Sequence, residues 1–234
     1  EAKAVLGDFS NAIQANESVD KEIQHQSNGI VKWLRMICEP FGTDIALTFV
    51  DVTDGKAEVD HMESIALSDP LTGVLNRRGF ERDGSMRLSE SADDATGALL
   101  FIDLNDFKTI NDTYGHEVGD ELLTIAATRL RKSLRSCDII GRPGGDEFVA
   151  LVPDVTGEIA EQLARRLTAT LEEPYLIGKD KLSCASSIGL ALYPDNASTL
   201  TGLLREADQA MYRAKDRCRG VTEVGACDLL EKAM

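Results

Sequence analysis

The pentapeptide Gly144-Gly145-Asp146-Glu147-Phe148 is the most informative stretch of this 234-residue chain. Apolar residues lie on both sides of it, at Ile139-Ile140 and Phe148–Val152, which predicts a hairpin with the pentapeptide at its turn. The two glycines let the backbone adopt φ > 0 and lie close to a ligand. A carboxylate on the next residue is suited to holding a metal ion beside that ligand. The stretch therefore indicates metal and phosphate chemistry at a tight turn.

Asp103 is a second carboxylate that can lie near Asp146 of the pentapeptide. Asp103 directly follows the apolar run Leu99–Ile102, which predicts a strand covered on both faces. If the two strands are neighbours, Asp103 and Asp146 can share one divalent cation, as in phosphoryl transfer. Adjacent residues of an extended backbone point to opposite faces, so Asp146 and Glu147 are expected to differ in role. A single Asp at a strand end is more often a turn or cap residue, but the Gly-Gly turn favours the metal.

Composition limits the classes of function. An apolar content of 43% and a charged content of 28% are ordinary for a soluble globular protein. The net charge of −15 argues against a protein that coats nucleic acid. No apolar run is long enough for a membrane span, and a chain that begins at Glu1 is expected to be a piece of a longer parent, which could itself be membrane-bound. The five cysteines are never spaced as CxxC, which favours reduced thiols in the cytosol.

The chain changes character near residue 68. Before it, Gly29–Glu39 and Ile45–Val52 are expected to be strands separated by a turn at Pro40–Gly42, with Asp54-Gly55 ending the second strand. A helix is expected over 56–67. Its apolar residues form a narrow seam, typical of a short parallel coiled coil or of a linker helix packed on its own domain: Val59, Met62, Ile65 and Ala66.

From Asp69 onward, helical and strand patterns alternate. Helices are expected over 120–135, from Ile159 to Leu171 and from Leu200 to Arg217, and a strand over Ser183–Tyr193. Gly84 falls in a further helical segment, at a cost of about 1 kcal/mol relative to alanine. Helices and strands around one sheet predict an α+β or α/β fold.

Several separate stretches resemble the GGDEF family of diguanylate cyclases, over roughly residues 66–221. Their order and spacing agree throughout. They are Asp69–Phe80 (DPLTGVLNRRGF), Phe101–Lys108 (FIDLNDFK), Asn111–Asp120 (NDTYGHEVGD), the pentapeptide, Ser187–Ala191 (SIGLA) and Ala207–Lys215 (ADQAMYRAK). The resemblance implies a nucleotidyl-cyclase-like α+β fold, in which helices surround a central, mainly antiparallel sheet of about five strands. It also implies that two GTP molecules condense to cyclic di-GMP and release two pyrophosphates.

The resemblance implies a metal site. Asp103, Asp146 and the backbone carbonyl of Leu104 would bind Mg²⁺, or Mn²⁺ in its place, with two ions per GTP site. Glu147 would be a further catalytic residue that touches either the second metal or the attacking 3′-hydroxyl. Gly144 and Gly145 would leave room for the nucleotide.

It also implies a nucleotide site. Asn111 and Asp120 would recognise the guanine edge, since an amide and a carboxylate complement its donors and acceptors. Lys108, Lys215 and Arg219 would contact the triphosphate. Two alternatives stay open: Asp120 caps the helix that it begins, and Lys215 with Arg219 forms a solvated helix face.

Arg135 and Asp138 form an RxxD pair upstream of the glycines. In family proteins this pair at this offset typically forms a product-inhibition site for cyclic di-GMP. The guanidinium can bind phosphate or guanine acceptors, while the carboxylate takes guanine donors. The alternative is a surface ion pair of little energetic worth.

The division into domains follows from these patterns. Residues 1–53 resemble part of a PAS sensor domain, 54–67 form a linker helix, 68–222 the GGDEF catalytic domain and 223–234 a tail. The expected protein is a bacterial, cytoplasmic enzyme that acts as a dimer, is inhibited by its product and binds no nucleic acid. One alternative is a non-catalytic module that senses GTP or cyclic di-GMP. Another is a cyclase that makes mixed cyclic dinucleotides.

Overall fold

The computed structural model of the chain describes residues 17–27, 29–41, 44–92, 94–217 and 222–224. The chain divides into two compact units, Glu1–Ser64 and Ile65–Met234, and each is described by itself. Among the described helices, none combines the length and the apolarity needed to cross a membrane.

The first unit contains an antiparallel meander that leads into a helix. Its strands are β1 (Val19–Ser27), β2 (Ile30–Phe41) and β3 (Asp44–Asp51), and helix α1 (Thr53–Leu67) follows. The last two strands were expected, whereas β1 was not. The expectation that Asp54-Gly55 ends a strand is wrong, because α1 already begins at Thr53. The Asp51 carboxylate accepts hydrogen bonds from the backbone N–H and the hydroxyl of Thr53, which fixes this start.

The second unit is built on a sheet with the strand order β11-β10-β5-β7-β6-β4. The strands are β4 (Leu75–Asn76), β5 (Gly97–Leu104), β6 (Ile139–Gly144), β7 (Glu147–Pro153), β10 (Ser186–Tyr193) and β11 (Thr222–Val224). A separate two-stranded ribbon consists of β8 (Tyr175–Ile177) and β9 (Asp180–Leu182). Only the short edge strands pair in parallel, β4 with β6 and β11 with β10, so the sheet is mainly antiparallel as expected.

Helices cover both faces of this sheet. They are α2 (Arg77–Ser89), α3 (Phe107–Tyr114), α4 (His116–Ser133), α5 (Gly157–Glu172) and α6 (Leu200–Arg217). Helices α3, α4 and α5 pack on the face that contains Leu100, Ile102 and Phe148. Helices α2 and α6 pack on the opposite face, around Phe101 and Val149. The predicted α+β, nucleotidyl-cyclase-like fold is therefore confirmed.

One helix boundary differs in a way that matters for the site. The expected helix over 120–135 begins instead at His116, so the interpretation of Asp120 as the residue that begins this helix is wrong. Gly115, at φ = 90°, separates α3 from α4 and lets the second helix start this early. Asp120 therefore lies on the second turn of α4, close to the end of α3.

The glycine at position 84 has a packing role. It is buried in α2, and a Cβ built on it would lie 3.0 Å from a methyl group of Leu200 on α6. A side chain here would push α2 away from α6, which explains why the helix tolerates glycine despite its low helix propensity.

Candidate active site

The hairpin forms where the pentapeptide predicted it. Strand β6 ends at Gly144 and β7 begins at Glu147, so Gly145 and Asp146 make a two-residue turn. Of the two glycines, Gly145 adopts a positive φ, of 56°, and Gly144 does not. A positive φ at the first central position is the pattern of a type II′ turn. Apart from its neighbours in the chain, no described residue has an atom within 4 Å of a Cβ built on Gly144 or Gly145, so both glycines border open space.

The two strands that carry the carboxylates are direct neighbours. Strand β5 pairs antiparallel with β7, and Asp103 lies opposite Glu147 in the register. Beyond this pair, the backbone N–H of Leu104 donates to the Asp146 carbonyl at 3.3 Å. The end of β5 therefore meets the hairpin turn, and Asp103, Asp146 and Glu147 are gathered at one end of the sheet. The strand pairing that the metal hypothesis required is present.

Lys215 of α6 contacts this carboxylate group. Its Nζ lies 2.7 Å from Asp103 Oδ1, and Asp103 is only 6% exposed. Burial raises the pKa of Asp103, and the hydrogen bond from Lys215 partly offsets that rise. Burial alone would lower the pKa of Lys215, but Asp103 and Asp146 raise it, so the ammonium stays charged. A cation is thus held at the position where negative charge is concentrated.

Glu147 has an unusual electrostatic environment. Burial raises its pKa, and the negative charges of Asp103, Asp146 and Asp208 raise it further. A carboxyl group whose pKa lies above its ordinary value is suited to proton transfer, and such groups concentrate at functional sites.

The side chain of Asn111 on α3 lies against Gly119 on α4, where the two helices meet. The Oδ1 atom of Asn111 is buried there, with no hydrogen-bond donor among the described residues. Gly119 leaves the space for it, since a Cβ on Gly119 would lie 1.9 Å from this oxygen. Asp120 is the next residue on α4 and is exposed. The structure thus brings Asn111 and Asp120 together, with an acceptor that needs a donor.

The loop between β5 and α3 leads into the same region. Asp106 adopts φ = 57° just before α3 and turns the chain into the helix, and its carbonyl accepts the N–H groups of Thr109 and Ile110. Lys108 lies exposed on the first turn. A helix N-terminus with a nearby lysine attracts anions. Arg219, which was expected to contact the triphosphate together with Lys215, lies outside the described residues.

The RxxD pair lies at the other end of β6, away from the hairpin turn. Asp138 Oδ2 accepts a hydrogen bond of 2.7 Å from the backbone N–H of Arg135, so this contact does not use the guanidinium. Both residues border a cavity of about 300 Å³ that is also lined by Gln162 and Arg166 of α5. The Arg166 guanidinium donates to the Ser133 carbonyl at 2.8 Å.

Sequence reasoning missed Arg142. Its Nη1 donates to the Asp69 carboxylate at 2.9 Å, and its Nε and Nη2 donate to the Gly145 carbonyl at 2.9 and 2.7 Å. The side chains of Arg142 and Asp69 are only 12% and 16% exposed. An arginine two residues before the Gly-Gly pair, in a strand that is otherwise without charge, was the signal that could have found it.

The carboxylates also suit a divalent cation. No group of three or more His, Cys, Asp or Glu side chains is arranged as a metal site in the described part of the chain. Asp103 and Asp146 offer two carboxylates beside the backbone of Leu104. Mg²⁺ is usually held by one or two carboxylates together with substrate phosphates, so this donor set fits it.

The cysteines in the described part of the chain are given no role in this chemistry. Cys38, Cys137 and Cys184 are free thiols, and the remaining two lie outside the described residues. Burial raises the pKa of Cys184 to about 12, helped by the charges of Asp146, Asp106 and Asp103. A thiol with so high a pKa is a poor nucleophile.

Known proteins resemble this chain in sequence and in fold. The bifunctional diguanylate cyclase/cyclic di-GMP phosphodiesterase MucR of Pseudomonas aeruginosa is 41% identical over 156 residues, which cover 66% of this chain and 23% of MucR. The cyclic di-GMP phosphodiesterase PdeR of Escherichia coli is 34% identical over 170 residues, covering 73% of this chain and 26% of PdeR. This chain therefore spans about a quarter of the length of these relatives.

The comparison with solved structures and the comparison with family models both identify a GGDEF domain. The solved GGDEF domain of TpbB, also called YfiN, from Pseudomonas aeruginosa matches with a TM-score of 0.66 and 39% identity, over 68% of this chain and 94% of that structure. Residues 66–220 match the family model described as diguanylate cyclase, GGDEF domain. The chain therefore belongs to the GGDEF family of diguanylate cyclase domains.

Proposed function

We propose that this chain is an active diguanylate cyclase, which condenses two GTP molecules into cyclic di-GMP with release of two pyrophosphates. The observation that carries the proposal is the meeting of Asp103, Asp146 and Glu147 where the end of β5 lies beside the start of β7, with Lys215 hydrogen-bonded to Asp103. An acidic group of this kind, with a lysine beside it, suits phosphoryl transfer between nucleotides.

Guanine recognition is assigned to Asn111 and Asp120, where α3 meets α4. The unpartnered Oδ1 of Asn111 would accept a hydrogen bond from N1–H or N2–H of guanine, and the exposed carboxylate of Asp120 would accept another. Both groups are acceptors that face guanine donors, whereas adenine lacks these donors on the same edge. These two residues therefore favour GTP over ATP and argue against a mixed-dinucleotide cyclase.

Triphosphate binding is assigned to the start of α3 and the end of α6. Lys108 lies on the first turn of α3, where the helix N-terminus adds partial positive charge. Lys215 would exchange its contact with Asp103 for a phosphate oxygen once a cation satisfies that carboxylate. Arg219 keeps its assignment to the triphosphate as part of the proposal. Gly144 and Gly145 border the space in which the nucleotide would lie.

Asp103, Asp146 and the carbonyl of Leu104 would hold the divalent cations, Mg²⁺ or Mn²⁺, with two per GTP site. GGDEF diguanylate cyclases generally need a divalent metal, which neutralises phosphate charge and polarises the phosphorus. Glu147 would accept the proton of the attacking 3′-hydroxyl, since its raised pKa brings it closer to that of a useful general base.

The reaction requires two half-sites that face each other, so the proposed enzyme acts as a dimer. Helix α1 offers a seam for such a contact, because Val59, Met62 and Ile65 are 63%, 60% and 64% exposed. Apolar side chains exposed at this spacing are typical of a coiled coil. The Met62→Glu substitution should lower specific activity at low protein concentration and less so at high concentration. Equal activity of both proteins upon dilution would contradict the role of this seam.

Product inhibition is assigned to the cavity lined by Arg135, Asp138 and Arg166. Two arginines and a carboxylate can bind the phosphates and guanine of cyclic di-GMP. The Arg135→Ala substitution should raise the inhibition constant for cyclic di-GMP at least about tenfold. The measurement is the ratio of inhibited to uninhibited rate, and an unchanged ratio would remove the assignment.

The meander β1–β3 with α1 is assigned to a partial PAS sensor that passes its signal to the catalytic domain through the linker helix. The reaction is assigned to the bacterial cytoplasm, where GTP is available. Incubation with GTP and Mg²⁺, with products identified by mass, tests the function directly. GTP that is bound but never converted would favour the non-catalytic sensor module instead.

A further inference from the structure

A groove beside the hairpin is lined by residues that, apart from Glu147, have no role in the site described so far. It has a volume of about 390 Å³ and lies between α2 and α6, on the sheet face opposite α3 and α4. Its position next to the proposed reaction centre follows from one shared residue: Glu147 lines the groove and also lies opposite Asp103 in the strand register. The groove is therefore an extension of the carboxylate site.

The walls of the groove combine an apolar floor with charged groups. Phe80 and Phe101 form part of the lining and are almost completely buried. Arg77 of α2 and Arg205 of α6 lie on the two sides, with exposed side chains that form ion pairs with Glu81 and Glu206 on their own helices.

Asp208 adds a carboxylate to the lining, one helical turn after Arg205. It lines the same groove as Glu147, so the α6 side and the hairpin side of the groove each carry a carboxylate.

This set of groups complements a guanine base. An arginine can donate two hydrogen bonds to the O6 and N7 acceptors of guanine, and a carboxylate can accept from its N–H donors. Aromatic side chains provide an apolar surface for the base. A volume of this size falls within the range of small-ligand pockets.

The start of α2 places two of these groups. The Asn76 side chain accepts a hydrogen bond from the Gly79 N–H at 3.0 Å and caps the helix. Arg77 and Phe80 follow on its first turn. They belong to the stretch DPLTGVLNRRGF, which marks the family resemblance but has received no role in the chemistry above.

We propose that this groove is the subsite for the second guanosine, whose 3′-hydroxyl attacks. The inference rests on the proposed function, because only a two-nucleotide reaction needs such a subsite. The partner subunit would hold the triphosphate of that GTP, and the groove would contact the exposed edge of its base. The 3′-oxygen then forms a bond to the α-phosphorus of the first GTP, the bond from that phosphorus to the pyrophosphate oxygen breaks, and the hydroxyl proton passes to Glu147.

The experiment compares variants of the full chain. Arg205→Ala and Asp208→Asn each remove one group of the groove, and Arg165→Ala is the matched control. Arg165 is likewise an exposed helix arginine paired within its own helix, but it lies on α5. Three quantities are measured: the rate of cyclic di-GMP formation, the affinity for the non-cleavable analogue guanosine 5′-[α,β-methylene]triphosphate, and the melting temperature.

We expect the two groove variants to form product at least about tenfold more slowly at saturating GTP, with unchanged analogue affinity and melting temperature. The analogue reports on Asn111 and Asp120, which these substitutions leave intact. A second substrate, 7-deaza-GTP, lacks the N7 acceptor. It should react several-fold more slowly than GTP with the wild-type chain and at the same rate as GTP with Arg205→Ala, because the group that senses N7 is then absent.

Three results would overturn the inference while leaving the proposed function intact. They are groove variants that match wild type in rate, groove variants that lose affinity for the analogue, and a 7-deaza penalty that persists in Arg205→Ala. A wild-type chain that binds GTP but forms no cyclic di-GMP would overturn the proposed function, and the second-nucleotide subsite with it.

Discussion

Arg142 connects Asp69 to the hairpin turn that carries Asp146. Its Nη1 lies 2.9 Å from Asp69 Oδ1, and the same guanidinium donates two further hydrogen bonds to the Gly145 carbonyl. Asp69 in turn accepts the backbone N–H and the hydroxyl of Thr72. The loop before α2 and the hairpin turn are therefore held in one hydrogen-bonded unit, which fixes the position of Asp146.

Replacement of Arg142 should lower the free energy of unfolding more than replacement of a surface arginine does. The Arg142→Ala substitution leaves Asp69 nearly buried without its charge partner, so we expect a loss of roughly 3 kcal/mol in the free energy of unfolding. Arg131→Ala is the control, because Arg131 makes one hydrogen bond to the Gly73 carbonyl in the same loop. Its expected cost is about 1 kcal/mol or less. Urea unfolding measures the loss in unfolding free energy for both variants. Equal losses would show that the ion pair between Arg142 and Asp69 does not stabilise the fold.

The same pair should give a defined pH dependence. Burial alone would raise the pKa of Asp69, but the hydrogen bonds from Thr72 and Arg142 outweigh it and hold the pKa below its ordinary value. Such a carboxylate stabilises the fold above its unfolded pKa of about 3.9, and the stabilisation disappears as the pH falls through the lower folded value. The difference in unfolding free energy between wild type and Arg142→Ala should be constant from neutral pH to about pH 5 and should shrink below about pH 4. A difference that grows on acidification would contradict this assignment.

The two turn glycines should respond differently to alanine. Gly145 has φ = 56°, so Gly145→Ala should cost roughly 1–2 kcal/mol in the free energy of unfolding. Gly144 has no positive φ and borders open space, so Gly144→Ala should change stability by less than about 0.5 kcal/mol. Thermal unfolding compares the two. If Gly144→Ala nevertheless lowers affinity for GTP, the added methyl group occupies space that the nucleotide needs, and unchanged affinity would remove that role.

Neutralising Glu147 should make the protein more stable and at the same time inactive. Burial and three neighbouring carboxylates raise its pKa in the folded protein, so the folded state binds this proton more tightly than the unfolded state does. Stability is therefore lost as the pH rises through the unfolded and then the folded value. At pH 7, Glu147→Gln should raise the free energy of unfolding by about 0.5–2 kcal/mol and abolish product formation. Glu161→Gln on the surface of α5 is the control, and a destabilised Glu147→Gln would contradict the electrostatic account.

The sequence predicted the parts of the fold that repeat a pattern. The apolar run Leu99–Ile102 identified the central strand, and the apolar spacing after Leu200 gave helix α6 with its observed bounds. The hairpin followed from two glycines between apolar runs. In each case one local rule, either periodicity or turn chemistry, agrees with the tertiary structure.

The other features of the fold and of the candidate site depend on contacts that no local sequence pattern encodes. Helix α4 begins at His116 because Gly115 breaks the chain with a positive φ, a choice that the sequence leaves open. The bond from Lys215 to Asp103 joins residues 112 positions apart, and that from Arg142 to Asp69 joins residues 73 positions apart. The family resemblance supplied roles for site residues, whereas the charges that raise the pKa of Glu147 become visible only when the strands are paired.

The central claim is that Asp146 and its neighbours join two GTP molecules. The most direct measurement incubates wild-type chain and Asp146→Ala with GTP and Mg²⁺, and quantifies cyclic di-GMP by mass together with released pyrophosphate. We predict two pyrophosphates for each cyclic di-GMP from the wild-type chain, and at least about a hundredfold less product from Asp146→Ala at unchanged melting temperature. Wild-type chain that releases no pyrophosphate, or Asp146→Ala that forms as much product as wild type, would contradict the account.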